Sequence, residues 1–374
     1  MPLRPIPFLD LPALHRDLMS ELLPALEAAI GQASFVGGAA VESFERTFAA
    51  HAEAAHCVGV ANGTDALYLA LRALAVGEGD EVVTVANTFI GTVEAITLNG
   101  ARPVFVETDP ETYLIDPEAV ERAIGPRTRA ILAVHLYGNP APLTALRRIA
   151  DHAKVPLIED AAQAHGARWG GRRVGGIGDA GCFSFYPSKN LGAFGDAGAV
   201  TTQHQDLAAR IRRLSNHGRG PTGLHEEEGV NSRLDALQAI VLEKKLDWLD
   251  AENEARRERV EAYRQALHEV PAVTLPRVRP EAEPVWHLLP LQVPERDALH
   301  HHLASEGIET RLHHAHPLHL QPAYRHLGLP PGHLPVTEAA CARLISLPLH
   351  PQLDPEAIAR ICEAIARFAH TRGW

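Results

Sequence analysis

Three short stretches of this sequence hold residue types whose spacing could do chemistry. The first, "FSFYPSKNLGAFGDAGAV" (183–200), sets one lysine, Lys189, among residues that are otherwise apolar, small or glycine, with a single acid at Asp196. A lysine held in such a loop beside a desolvated pocket loses its proton more easily, and a neutral amine condenses with aldehydes. The second, "VPLIEDAAQAHGA" (155–167), ends an apolar run on Glu159 and Asp160, the strand end at which ligands sit in open α/β sheets. An ionised side chain there needs a partner, such as a protonated heterocycle nitrogen, because an unpaired buried charge is costly. The third, "ANGTDALYLALRAL" (61–74), offers Asn62 or Thr64 as the cap of a helix whose apolar stripe runs through Ala66, Leu67, Ala70, Leu71 and Leu74. Gly63 lets the backbone approach a ligand, and the free N–H groups of the first turn attract anions.

Taken singly, each stretch has an ordinary reading: a solvated lysine, a carboxylate capping the next helix, a capped helix. In combination, a lysine amine, a strand-end acid and an anion-binding helix N-terminus are what pyridoxal phosphate requires. Two other patterns carry less. "GIGDAG" (176–181) matches the dinucleotide-binding GxGxxG, but that motif follows a strand and opens a helix, whereas this one precedes the strand-like "GCFSFY". The histidines in "RLHHAHPLH" and at His300, His301 and His302 invite a metal, yet three consecutive residues cannot all face one ion and no carboxylate spacing supports them. No metal site is expected.

The elements that must position these groups are legible as alternation. "EVVTV" (81–85), "PVFV" (103–106), "AILAVH" (130–135) and "VPLI" (155–158) read as buried strands, separated by the helix-like "TVEAITLN", "PEAVERAI" and "LTALRRIADHA". This predicts an α/β fold with a mostly parallel sheet covered by helices. Between "GCFSF" (181–185) and "GAVTT" (198–202) only a glycine-rich loop intervenes, too short for a crossover helix, so that pair is expected to be antiparallel with Lys189 on its loop. From about residue 205 the chain becomes charged and helical. A long helix there leads into a smaller unit from about 250, rich in proline and histidine.

The chain of 374 residues is 46% hydrophobic and 22% charged, with a formal net charge of −11. That describes a globular protein with a real core and weighs against a nucleic-acid partner. No apolar run approaches the roughly 20 residues of a membrane span. The N-terminus lacks the apolar stretch of a signal peptide. Cys57, Cys182, Cys341 and Cys362 are scattered without a CxxC pair, which suits a reducing cytoplasm.

The sequence resembles the sugar-nucleotide aminotransferases of the DegT/DnrJ/EryC1/StrS family, through "IPFLDL", "VGVANGTDAL", "ANTFIGT", "PVFVETDPETYLID", "HLYGNP", "LIEDAAQAHGA", "GCFSFYPSKNLGAFGDAGAV", "GVNSRLDALQA", "HPLHLQPAY" and "LPVTEAA", in that order. The resemblance implies a fold type I pyridoxal-phosphate transferase, with a large cofactor-binding domain over residues 1–249 and a smaller C-terminal α+β domain over 250–374. The N-terminal segment would be able to pack on the smaller one. By the resemblance, Lys189 forms the internal aldimine with pyridoxal 5′-phosphate and shuttles the proton, and Asp160 keeps the pyridine nitrogen protonated. Gln163 contacts the ring and its hydroxyl, Gly63 and Thr64 cradle the phosphate with Ser184, and Phe89 stacks on the ring. Asn231 serves the other subunit's phosphate, which implies a homodimer with shared active sites.

The implied reaction moves an amino group from glutamate to a nucleotide-linked keto sugar. The lysine segment is closer to the branch acting on 3-keto sugars, deoxy or N-acetylated, than to the 4-keto branch. Tyr186, His313 and His319 match positions near the substrate, while His314 and His316 depart from the aromatic and proline residues expected there. A dehydratase on the same scaffold would replace the lysine with histidine. A non-catalytic regulator that binds cofactor or sugar would not need the full catalytic set.

Overall fold

The computed structural model describes residues 5–16 and 18–374. Seven strands form the central sheet: β1 (His56–Val60), β2 (Glu81–Val85), β3 (Arg102–Val106), β4 (Thr128–Val134), β5 (Leu157–Asp160), β6 (Ala180–Ser184) and β7 (Gly198–Thr202), in the spatial order β1-β7-β6-β5-β4-β2-β3. All run parallel except β7, which is antiparallel to both β1 and β6. Both the alternation and the single reversal read from the sequence are therefore observed. Helices on the faces bury the sheet on both sides, which is why β4 carries a near-continuous apolar run in place of an alternating one and every residue of β5 is buried.

Strand β1 went unread in the sequence for a physical reason. "HCVGV" is short and carries a glycine, and Gly59 is there because a Cβ at that position would come within 2.7 Å of Leu234 Cβ. The charged stretch after 205 is also less uniformly helical than its composition suggests. A helix over Gln205–Leu214 stops, and residues 215–235 form a glycine-studded excursion with bridges Asn216↔Asn231 and Arg219↔His225. Only then does the long helix Ala236–Leu267 begin.

That helix runs through two apolar clusters. Leu242, Leu246 and Leu249 belong to the cluster around the central sheet. Val260, Tyr263 and Leu267 belong to a second one, built around the antiparallel pair β8 (Leu289–Gln292) and β9 (Leu344–Leu347) and the C-terminal helix Pro355–Arg372. Ile6 joins this second cluster and pairs with Ile308. No helix of the described residues is long and apolar enough to cross a membrane.

Candidate active site

The site lies at the carboxyl ends of the central parallel strands, where β5, β6 and the β6–β7 loop meet the helix that follows β1. That helix, Gly63–Ala73, begins where Asn62 turns extended and its Oδ1 accepts the N–H of Asp65 at 2.8 Å. Of the two caps the sequence offered, Asn62 is the one used. A Cβ on Gly63 would come within 2.6 Å of Ser184 Cβ, so only glycine lets the helix N-terminus seat against β6. The N–H groups of Gly63 and Thr64 are thereby delivered, free of intrahelical partners, to the bottom of a cleft of about 780 Å³.

Successive residues of a strand face opposite sides, and this separates Glu159 from Asp160. Glu159 turns away from the cleft and is fully buried. Its Oε1 accepts N–H bonds from Ile177 (2.9 Å) and Gly178 (2.6 Å), and its Oε2 accepts from Gly175 N (2.7 Å) and His135 Nε2 (2.9 Å). Because Ala141 N–H donates to His135 Nδ1 at 2.9 Å, the ring's proton sits on Nε2 and points at Glu159. Burial opposes ionisation, but the His135 bond and the backbone donors outweigh it and hold the carboxyl below the usual carboxylate range. Residues 175–178, the start of the "GIGDAG" stretch and the glycine before it, thus form a backbone nest for Glu159.

Asp160 faces the cleft and is 5% exposed. Its Oδ2 accepts the hydroxyl of Thr92 at 2.8 Å, Thr92 is hydrogen-bonded to Thr88 at 2.9 Å, and its Oδ1 accepts Ala162 N–H at 3.2 Å. Burial raises its pKa despite these donors and the charge of Lys189. Lys189 lies on the loop closed by Phe185 N–Ala197 O and Ala193 N–Phe185 O, both 2.8 Å. Burial lowers its amine to about 8, with Asp160 pulling the other way. Each of the two groups is thus pushed toward its neutral form by the cleft and toward its charged form by the other.

The cleft brings together Gly63, Thr64, Phe89, Asp160, Gln163, Ser184, Tyr186 and Lys189. Gln163 Oε1 is engaged by Tyr137 N–H at 2.6 Å, so its NH₂ donors are what it can offer inward. Phe89 and Tyr186 are exposed walls of the cleft, at 58% and 55%. Asn231 is exposed in an adjoining depression lined by Val36, Ala61 and Arg233, which shares Asp196 with the cleft. His313 and His319 are not among the cleft-lining residues. His313 Nδ1 meets Ser346 Oγ at 3.0 Å and its carbonyl accepts Tyr137 OH at 2.8 Å, while burial, then the charges of Lys189 and Arg311, depress its ring to about 4. His319 is buried with Nε2 3.0 Å from Glu338. Among the described residues no group of three histidine, cysteine or acidic side chains converges as a metal cluster.

Thr92, His135 and Tyr137 escaped the sequence reading. Thr92 ends the quoted "ANTFIGT" and lies in the first turn after the β2 strand end, but only the topology brings it to Asp160.

The donors fit pyridoxal phosphate: an anion-binding helix N-terminus, a buried carboxylate facing inward for a protonated ring nitrogen, and an amine of lowered pKa in the same cleft. Fold and site together define a fold type I aminotransferase. The chain belongs to the DegT/DnrJ/EryC1/StrS aminotransferase family, whose sequence profile matches residues 16–366. It is 49% identical to the erythromycin biosynthesis sensory transduction protein EryC1 of Saccharopolyspora erythraea, over 94% of this chain and 96% of that protein. It is 44% identical to the dTDP-3-amino-3,4,6-trideoxy-alpha-D-glucose transaminase of Streptomyces venezuelae, over 97% and 96% of the two chains. The crystal structure of S. venezuelae DesV in complex with a ketimine intermediate superposes with a TM-score of 0.96 at 44% identity, covering 98% and 99%.

Proposed function

We propose that this enzyme carries pyridoxal 5′-phosphate on Lys189 and moves an amino group from glutamate to a nucleotide-linked 3-keto sugar, giving a 3-amino sugar. The observation that carries the reading is the convergence, in one cleft, of the lowered-pKa Lys189, the inward Asp160 and the free N–H groups of Gly63 and Thr64. Bound there, the cofactor supplies an electron sink for the carbon next to the transferred nitrogen. Lys189 Nζ, partly neutral near pH 8, is the group able to take the proton from that carbon and return it one position away. Asp160 holds its charge against the ring nitrogen, Gln163 offers NH₂ to the ring hydroxyl, and the Gly63–Thr64 backbone with the Ser184 hydroxyl binds the phosphate. Phe89 stacks on the ring, and Tyr186 and His313 serve the sugar nucleotide, whereas His319, its ring enclosed beside Glu338, is left out of that role. The 3-keto assignment rests on the lysine segment and on the 3-amino product in the name of the S. venezuelae transaminase.

The same reading makes the enzyme a homodimer, with Asn231 reaching the partner's phosphate. Exposed Phe35 and Val36, at 46% and 56%, support a buried face beside Asn231. The division at 249/250 follows the change of apolar cluster along the long helix. Cytoplasmic residence agrees with four buried, unpaired cysteines. A complete lysine, acid and anion site favours catalysis over sensing alone.

The test is the visible spectrum of the protein with pyridoxal phosphate before and after glutamate, beside Lys189→Ala. A Schiff-base band in wild type that glutamate bleaches with release of 2-oxoglutarate, and no such band in the variant, is expected. A wild-type band unmoved by glutamate would reject the donor, and no band would reject the cofactor. Light scattering on the eluting protein tests the dimer, which a monomer mass would overturn.

A further inference from the structure

One helix reaches the Lys189 loop from behind at three points. Along Ala236–Leu267, Gln238, Lys245 and Asn253 follow one another at intervals of about two helical turns and so share a face. Gln238 Oε1 accepts the N–H of Phe194 at 2.8 Å. Lys245 Nζ donates to the carbonyl of Gly192 at 2.6 Å. Asn253 Oδ1 accepts from Asn190 Nδ2 at 2.9 Å, and Asn253 Nδ2 donates to the His165 carbonyl at 2.8 Å. Asn190, next to Lys189 in the chain, also donates to Val285 O at 3.1 Å and lies 3.2 Å from His287 Nδ1.

None of the three touches the cleft, whose lining they lie outside. Asn253 is 1% exposed and sits between the two apolar clusters of the helix, a place where a leucine would pack without desolvating an amide. Each of the three makes a bond to the 190–194 segment, Asn253 adding one to the His165 carbonyl and Lys245 lying 3.4 Å from His15 Nε2.

We propose that Gln238, Lys245 and Asn253 are positioning residues that clamp the 190–194 segment and thereby hold the Lys189 amine in its desolvated place in the cleft. The inference rests on Lys189 being the cofactor's lysine, but the placement of that lysine can be read without cofactor.

The titratable groups facing Lys189 are Asp160, His165, His287, His313 and His314. All four rings are depressed by burial first and by the lysine's charge, so around neutral pH they are uncharged. Asp160 is then the charge acting on Lys189, opposing the desolvation that lowers it to about 8. A substitution at Asn253 changes no charge. If it moves the amine's titration, it does so by letting the loop shift and water return, which raises the value toward that of an ordinary lysine.

The experiment is reductive methylation of the cofactor-free protein with formaldehyde and cyanoborohydride across pH, quantified at Lys189 by peptide mass spectrometry. Kd for pyridoxal phosphate and thermal unfolding are measured alongside. For Asn253→Leu and Lys245→Met, the labelling midpoint of Lys189 is expected to rise by about one pH unit, and Kd to weaken on the order of tenfold. Lys245→Arg, which keeps a donor for Gly192, is expected to stay near wild type. Gln238→Leu, at the accessible end of the stripe, serves where a buried substitution fails to fold. Folded variants whose Lys189 midpoint and cofactor affinity match wild type overturn the clamp. A wild type that binds no cofactor overturns the functional reading instead, and the labelling midpoints still decide the clamp.

Discussion

Replacing each of the adjacent acids Glu159 and Asp160 by its amide should give opposite phenotypes. Glu159 accepts four donors, two on each oxygen. In Glu159→Gln one oxygen becomes an NH₂ that confronts two donors it cannot accept. Two buried donors are then left unsatisfied at about 1–3 kcal/mol each, so the loss is roughly 4 kcal/mol. Urea unfolding of the cofactor-free protein, followed by tryptophan fluorescence, should show the midpoint falling by on the order of 1 M, given the steep denaturant dependence of a large chain. The pH dependence has a definite sign. A carboxyl depressed in the folded state stabilises it above the unfolded value of about 4.3 and loses that contribution as pH falls through the folded value. Wild type should therefore lose stability on acidification through this site, and Glu159→Gln should lack that part of the dependence. Asp160→Asn should cost the fold less, about 1–2 kcal/mol, because its carboxyl accepts only one donor on each oxygen and burial disfavours its charge. It should nevertheless abolish bleaching of the cofactor band by glutamate. A stable Glu159→Gln, or an Asp160→Asn that reacts normally with glutamate, would refute the assignment of structural and chemical roles to the two faces of β5.

Three further outcomes follow from the geometry. In the cofactor-free Asp160→Asn protein the methylation midpoint of Lys189 should fall below its wild-type value of about 8, because the carboxylate is the group raising it; a rise would contradict the coupling. Thr92→Val removes the hydroxyl from Asp160 Oδ2 and should weaken pyridoxal phosphate several-fold with little change in fold, as read by equilibrium titration of the visible band, while unchanged affinity would deny Thr92 a role. Gly63→Ala forces a methyl to within 2.6 Å of Ser184 Cβ, so the helix N-terminus must retreat from β6. A cost of about 1–3 kcal/mol in urea unfolding and at least a tenfold loss of phosphate-ester affinity are expected, and an unaffected variant would show that the N–H cradle tolerates displacement.

The reversal of β7 and the seat of Lys189 were legible because twelve residues of glycine-rich chain between "GCFSF" and "GAVTT" cannot hold a crossover helix. The cap at Asn62 was legible as one of two choices, since capping chemistry is local. What could not be read was anything decided by side-chain direction or long-range approach. Glu159 and Asp160 are the same kind of residue at adjacent positions, and only the strand's register gives one a backbone nest and the other a cleft. Thr92 reaches Asp160 across 68 residues of sequence. His319 carried a plausible binding pattern, but its ring is enclosed beside Glu338. Strand β1 was masked because the contact that requires its glycine is made by Leu234, far along the chain.

Among the described residues, β1 hydrogen-bonds into the sheet through β7 alone. Its partner is about 140 residues downstream, so a chain emerging from the ribosome holds His56–Val60 as an unpaired edge while β2 to β6 can already assemble. The helix whose first-turn N–H groups of Gly63 and Thr64 face the cleft grows directly out of β1, and β7 closes the loop carrying Lys189. Completion of the sheet and assembly of the cleft are therefore the same late event, and a partly made chain has neither.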